Sequence, residues 1–126
     1  MKPNDVMLAQ TGLKNWNTLK FIIEKRLSTS DEENLSHLLF HYTCCFISEL
    51  EFTKAYVTAT IGLSLTRGES LRNNYEDHLS FIEELKEEKV IDEIFLSIEE
   101  IESICANLYI PEFIWKKSFK NKKVSA

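Results

Sequence analysis

His37, His41 and Cys44 stand at i, i+4 and i+7, so a helix carries them on one face, with Ser48 next along it. Two histidines one turn apart can chelate zinc through neutral imidazoles, and a Cys44 thiolate would add a third ligand. A fourth ligand and the activating glutamate of an H-E-x-x-H helix are both missing. The plainer reading is a set of half-buried residues on a helix contacted from two sides, and no metal or cofactor is assigned. Cys44 or Cys45 beside His41 also has the parts of a thiol nucleophile and its base. Mid-helix, however, no backbone amides are free to stabilise an oxyanion. Both read as structural thiols, as does Cys105 on the apolar face of a later helix, and no catalytic residue is assigned.

Carboxylates are the other reactive set. Between Glu69 and Glu102 twelve acids face only Arg72, Lys86 and Lys89. Glu83, Glu84, Glu87 and Glu88 could stage acid–base chemistry only inside a cavity. Their spacing puts them on the outer face of an amphipathic helix, where they are either solvated or a docking face for a basic partner. The candidate partner-binding residues are Glu76, Glu83, Glu84, Glu87, Glu88, Asp92, Glu93, Glu99 and Glu100, since a concentrated acidic patch steers and orients a cationic partner. The chain then turns basic, with Lys116, Lys117, Lys120, Lys122 and Lys123 against Glu112. Trp115 with Lys116 and Lys117 has the makings of a small interaction or membrane-surface patch. Packing of Trp16, Phe113, Trp115 and Phe119 at the two ends of a bundle is the favoured reading.

The elements that must position these groups are helices. Three Gly and two Pro in 126 residues leave few breaks. The most apolar stretch, Leu35 to Leu65, has no Pro and no Gly before Gly62. Ahead of it, Asn4 or Asp5 could cap one turn through Met7, Leu8 and Ala9. Trp16, Leu19, Ile22, Ile23 and Arg26 or Leu27 then give a helical stripe over 15–27. Ser30 with Glu33 is a capping box for a second helix, whose face is Leu35, Leu38, Leu39, Tyr42, Cys45, Phe46 and Leu50. Phe40 and Ile47 lie off that face, which predicts contacts from more than one side. A turn falls near 49–52. A third helix runs over 53–65 despite its β-branched residues, stopped by Gly68 as the left-handed residue after its end. A fourth covers 69–89, with Leu71, Tyr75, His78, Leu79, Ile82 and Leu85 inward. A fifth covers 91–108, burying Ile91, Ile94, Phe95, Ile98, Ile101, Cys105 and Leu108. Pro111 starts a short last helix.

The span Leu35 to Gly68 resembles a single tetratricopeptide-type helical hairpin. Leu39, Tyr42 and Phe46 stand where that motif has large residues in its first helix, and Ala55, Ala59 and Gly62 where its second helix has packing residues. Thr43 replaces the usual small residue, Ala59 stands where an aromatic is common, no proline follows Leu65, and no second copy occurs over 70–103. The resemblance implies an antiparallel helix hairpin, in a class of modules that usually bind proteins.

The expected fold is all-α, one antiparallel bundle of five to six helices spanning 1–126, with residues 1–12 and 120–126 as flexible ends. The net charge of −5 argues against nucleic-acid binding. No apolar run is long enough for a membrane span or a signal peptide, and three cysteines without a spaced framework fit reduced thiols in the cytoplasm. The expected function is non-catalytic protein binding, as an immunity protein or antitoxin-type inhibitor of a basic, nuclease-like toxin. The alternatives are an adaptor that takes a peptide in the Ala55–Ala59–Gly62 groove, and a metal- or thiol-dependent enzyme on His37, His41 and Cys44.

Overall fold

The computed structural model describes residues 16–27, 32–119 and 124–125. The described residues hold six helices in order: α1 Trp16–Leu27, α2 Glu32–Ser48, α3 Phe52–Leu65, α4 Glu69–Glu87, α5 Ile98–Asn107 and α6 Glu112–Phe119. Two short strands, β1 Phe95–Leu96 and β2 Val124–Ser125, pair antiparallel, with Phe95 opposite Ser125 and Leu96 opposite Val124. The protein is an all-α helical bundle. The expected Asn4–Asp5 turn and the Ser30–Glu33 capping box lie outside the described residues, as do the side chains of Trp16, Leu19 and Leu27.

The apolar stripe of α2 organises the core. Leu35, Leu38, Leu39, Tyr42, Cys45 and Phe46 are all buried, and they meet Ala55, Val57 and Ile61 of α3. α2 and α3 form the most extensive helix pair; α1 adds Ile23 on one side and α4 packs on α3. Thr43 and Thr58 bridge the hairpin inside the core through a 2.8 Å hydroxyl–hydroxyl hydrogen bond. Each hydroxyl also has its own helix's carbonyl within reach, Leu39 O at 2.8 Å and Lys54 O at 3.0 Å, so neither buried polar group is left without a partner. The β-branched residues of α3 are tolerated because burial between two helices outweighs their weak helix propensity. α6 closes the bundle by burying Ile114, Trp115 and Phe119 against it, while Phe113 points to solvent. Trp115 is therefore a packing residue rather than a surface patch.

Three helices end alike. Beyond α2, Leu50 N–H donates to Ile47 and Glu51 N–H to Phe46; beyond α4, Lys89 donates to Lys86 and Val90 to Leu85; beyond α5, Tyr109 donates to Ala106 and Ile110 to Cys105. This is the Schellman pattern, which needs a left-handed residue just past the helix. Leu50, Lys89 and Tyr109 hold that place at φ 63°, 60° and 58°. None is glycine.

These caps correct the sequence reading at four places. Leu50, expected in the core, is 74% exposed on the turn after α2. Gly68 does not stop α3: α3 is capped by Thr66, and Gly68, at φ −87°, is the N-cap of α4. The expected helix over 91–108 begins only at Ile98, where Ser97 and Glu100 form a capping box. Ahead of it Phe95 lies in β1, 68% exposed, and Ile98 is exposed at the first turn, so neither joins the buried set of Ile94, Ile101, Cys105 and Leu108.

Candidate docking face

α4 buries Tyr75 and Ile82 and turns the opposite side outward. All twelve acids from Glu69 to Glu102 are exposed, including the nine expected to meet a partner. They do not form one helix surface. Glu76, Glu83, Glu84 and Glu87 lie on α4, Glu88 caps it, Asp92 and Glu93 follow in the loop, and Glu99 and Glu100 stand in the first turn of α5.

Three of the nine, Glu83, Glu93 and Glu100, have internal duties. Lys86 folds inward until its side chain is 2% exposed, and its ammonium meets Glu83 at 2.9 Å and Glu93 at 3.5 Å. Burial works against that charge, but the Glu83 hydrogen bond and the two carboxylates outweigh it and hold the ammonium above its usual range. The Glu93 contact pins the loop over 88–97 to α4. Glu100 closes the α5 capping box, with Ser97 Oγ accepting its N–H at 3.1 Å. Glu76, Glu84, Glu87, Glu88, Asp92 and Glu99 make no ion pair among the described residues. One of the three cations in the segment is thus tied to Glu83 and Glu93, and the other acids are left without it.

Apolar side chains interrupt this acidic surface. Phe81, Val90, Phe95 and Ile98 are all exposed between Glu76 and Glu99. Phe81 also meets the half-buried Phe52 of α3 edge-on, with ring centroids 6.4 Å apart. Sequence reasoning missed Val90, Phe95 and Ile98 because their spacing continues a helical pattern through the loop.

No family model, curated protein or solved structure matches the chain. Function has to be argued from the residues themselves.

The histidines and cysteines are divided between environments. His37 is exposed, and His41 and Cys44 are half-buried. Cys44 Sγ lies 3.4 Å from Nε2 of His78 on α4. Phe40 packs against His41, His78 and Tyr75, the contact from a second side that its off-face position implied. Among the described residues no three His, Cys, Asp or Glu side chains gather as a metal site needs. Burial pushes the Cys44 thiol up to about 11 and Cys45 and Cys105 to about 12, opposite to the shift that activates a nucleophile. Burial likewise lowers His41 and His78, in His41 with help from His37 and in His78 against Asp77.

The small-residue strip of α3 is already occupied. Ala55, Ala59 and Gly62 are buried, and Tyr75 of α4 lies across Gly62 with its hydroxyl donating to the Ser36 carbonyl. Elsewhere, a shallow cleft of about 280 Å³ is lined by Phe21, Glu24, Lys25 and Tyr109.

Proposed function

We propose that the chain is a non-catalytic protein-binding protein whose acidic face over Glu76–Glu102 takes a basic partner. The concrete form is an immunity protein or antitoxin-type inhibitor that fills the phosphate-binding cleft of a nuclease-like toxin. One observation carries the reading: every acid of the segment faces outward while Lys86 is buried and neutralised from within. Exposed carboxylates without cations of their own raise the rate and selectivity of encounter with a positive surface. Reduced cysteines fit action in the cytoplasm, where such an inhibitor would meet its toxin.

The test is charge reversal at residues with no internal duty: Glu84→Lys, Glu87→Lys, Glu88→Lys and Glu99→Lys together. Co-expression with the products of neighbouring genes and capture at two salt concentrations should recover a cationic protein whose nuclease activity is suppressed. The reversed protein should lose it. A partner bound equally by both forms, with the same salt dependence, would remove the acidic face from the account.

A further inference from the structure

An aromatic ring sits in the middle of the carboxylate line on α4. Asp77, Phe81, Glu84 and Glu88 are spaced so that one helical stripe carries all four, with the carboxylates four residues before the ring and three and seven after it. All four are exposed, and the three carboxylates have no ion-pair partner among the described residues. Phe81 meets Phe52, and Phe52 lies two residues beyond Leu50 on the turn that ends α2. Leu50 is the most exposed large apolar side chain described.

Single exposed apolar residues need no explanation. Here an exposed ring meets a half-buried one beside a line of unneutralised carboxylates. A further exposed apolar side chain, Leu50, stands two residues from the half-buried ring along the chain. Covering the apolar groups removes their surface from water, and neutralising the carboxylates relieves like-charge repulsion. One kind of occupant does both. It is a helical segment with apolar residues at three- and four-residue steps and Lys or Arg on its flanks, the helix-in-groove mode of peptide recognition. A phosphate-bearing ligand is repelled by the same stripe, and a second copy of this face would set carboxylate against carboxylate.

We propose that Leu50, Phe52 and Phe81 anchor a cationic amphipathic segment of the protein partner, whose basic side chains meet Asp77, Glu84 and Glu88. This rests on the acidic-face reading above and adds to it an apolar anchor, so that part of the affinity survives high salt.

The full chain is titrated calorimetrically with two peptides of equal charge, an amphipathic Leu–Lys helix and an oligolysine. The Leu–Lys peptide should bind at least about tenfold tighter, and Phe81→Ser should remove about that factor for it while leaving oligolysine unchanged. Leu50→Ser repeats the test at a turn position whose side chain makes little contact with the core. Equal binding of both peptides, with neither variant altering either, overturns the apolar anchor and leaves the acidic face standing. Failure of both peptides to bind at low salt overturns both readings. Sedimentation of a dimer that Phe81→Ser dissociates would assign the patch to self-association instead and overturn the proposal.

Discussion

Tyr75 lies across Gly62, with its ring in the space a side chain at position 62 would need. A Cβ there would fall well inside contact distance of the Tyr75 hydroxyl and ring, and the ring cannot withdraw: it is fully buried and its hydroxyl is bonded to the Ser36 carbonyl. Gly62→Ala ordinarily stabilises a helix interior by about 1 kcal/mol. Here overpacking should reverse the sign and cost about 2–3 kcal/mol in chemical denaturation. Combining it with Tyr75→Leu should cost less than the sum of the two single changes, since the clash is gone in the double variant.

Leu50, Lys89 and Tyr109 hold left-handed backbone that costs a side-chain-bearing residue about 1–2 kcal/mol. Lys89→Gly should raise stability by about 0.5–1 kcal/mol, the gain reduced by the flexibility glycine adds to the unfolded chain. A shift of the urea midpoint to higher concentration without a change in slope is the expected readout. Leu50→Gly should stabilise in the same way while weakening the partner peptide, a pairing of effects that Lys89→Gly should not show.

His41 and His78 give the fold an acid sensitivity. Burial lowers both below the ordinary 6.5, and Nδ1 of His41 is buried without a hydrogen-bond partner among the described residues. Groups that protonate more readily when unfolded contribute stability above their unfolded value, and that stability is lost as pH falls below it. Stability should therefore decline from about pH 6.5 downward. His41→Leu removes both the titration and the orphaned nitrogen, so it should flatten the decline and leave neutral-pH stability equal or higher. An unchanged slope between wild type and variant from pH 7 to 5 would count against this.

Lys86 works at the other end of the scale. Its ammonium is held above the usual range, so its contribution is fully present below the unfolded lysine value and disappears as pH rises through the higher folded one. Lys86→Met keeps the packed stem and frees Glu83 and Glu93, both more than half exposed. The expected cost is about 1 kcal/mol, below that of a fully buried pair, because the stranded carboxylates regain water. Faster hydrogen exchange should be confined to residues 88–97, the loop that Glu93 fastens.

Helical periodicity was enough to place α1 to α4 and α6, and to assign Leu35, Leu38, Leu39, Tyr42 and Phe46 to the core. It failed over 90–97. There Val90, Ile91, Ile94, Phe95 and Ile98 keep the three- and four-residue spacing of a helix that is absent. The stop near Lys89 was placed even though the left-handed position carries lysine where glycine is the usual sign. The restart was legible, in Ser97 and Glu100, but the continuous apolar pattern masked it. The outward acids of α4 followed from spacing alone. The withdrawal of Lys86 did not, nor did the Cys44–His78 contact, since its two residues are separated by 34 positions.

The order of packing has a kinetic consequence. α1, α2, α3 and α4 each lie chiefly against their chain neighbours, and the α2–α3 pair is joined by a three-residue turn. Contacts so close in sequence cost little loop entropy to form, which places folding toward the microsecond-to-millisecond range of helical bundles. The docking of α6 on α3 is different. Its Ser64–Ser118 hydrogen bond, 2.7 Å long, joins residues 54 positions apart. The hairpin should be the nucleus, and the arrival of α6 the late event that makes the transition cooperative.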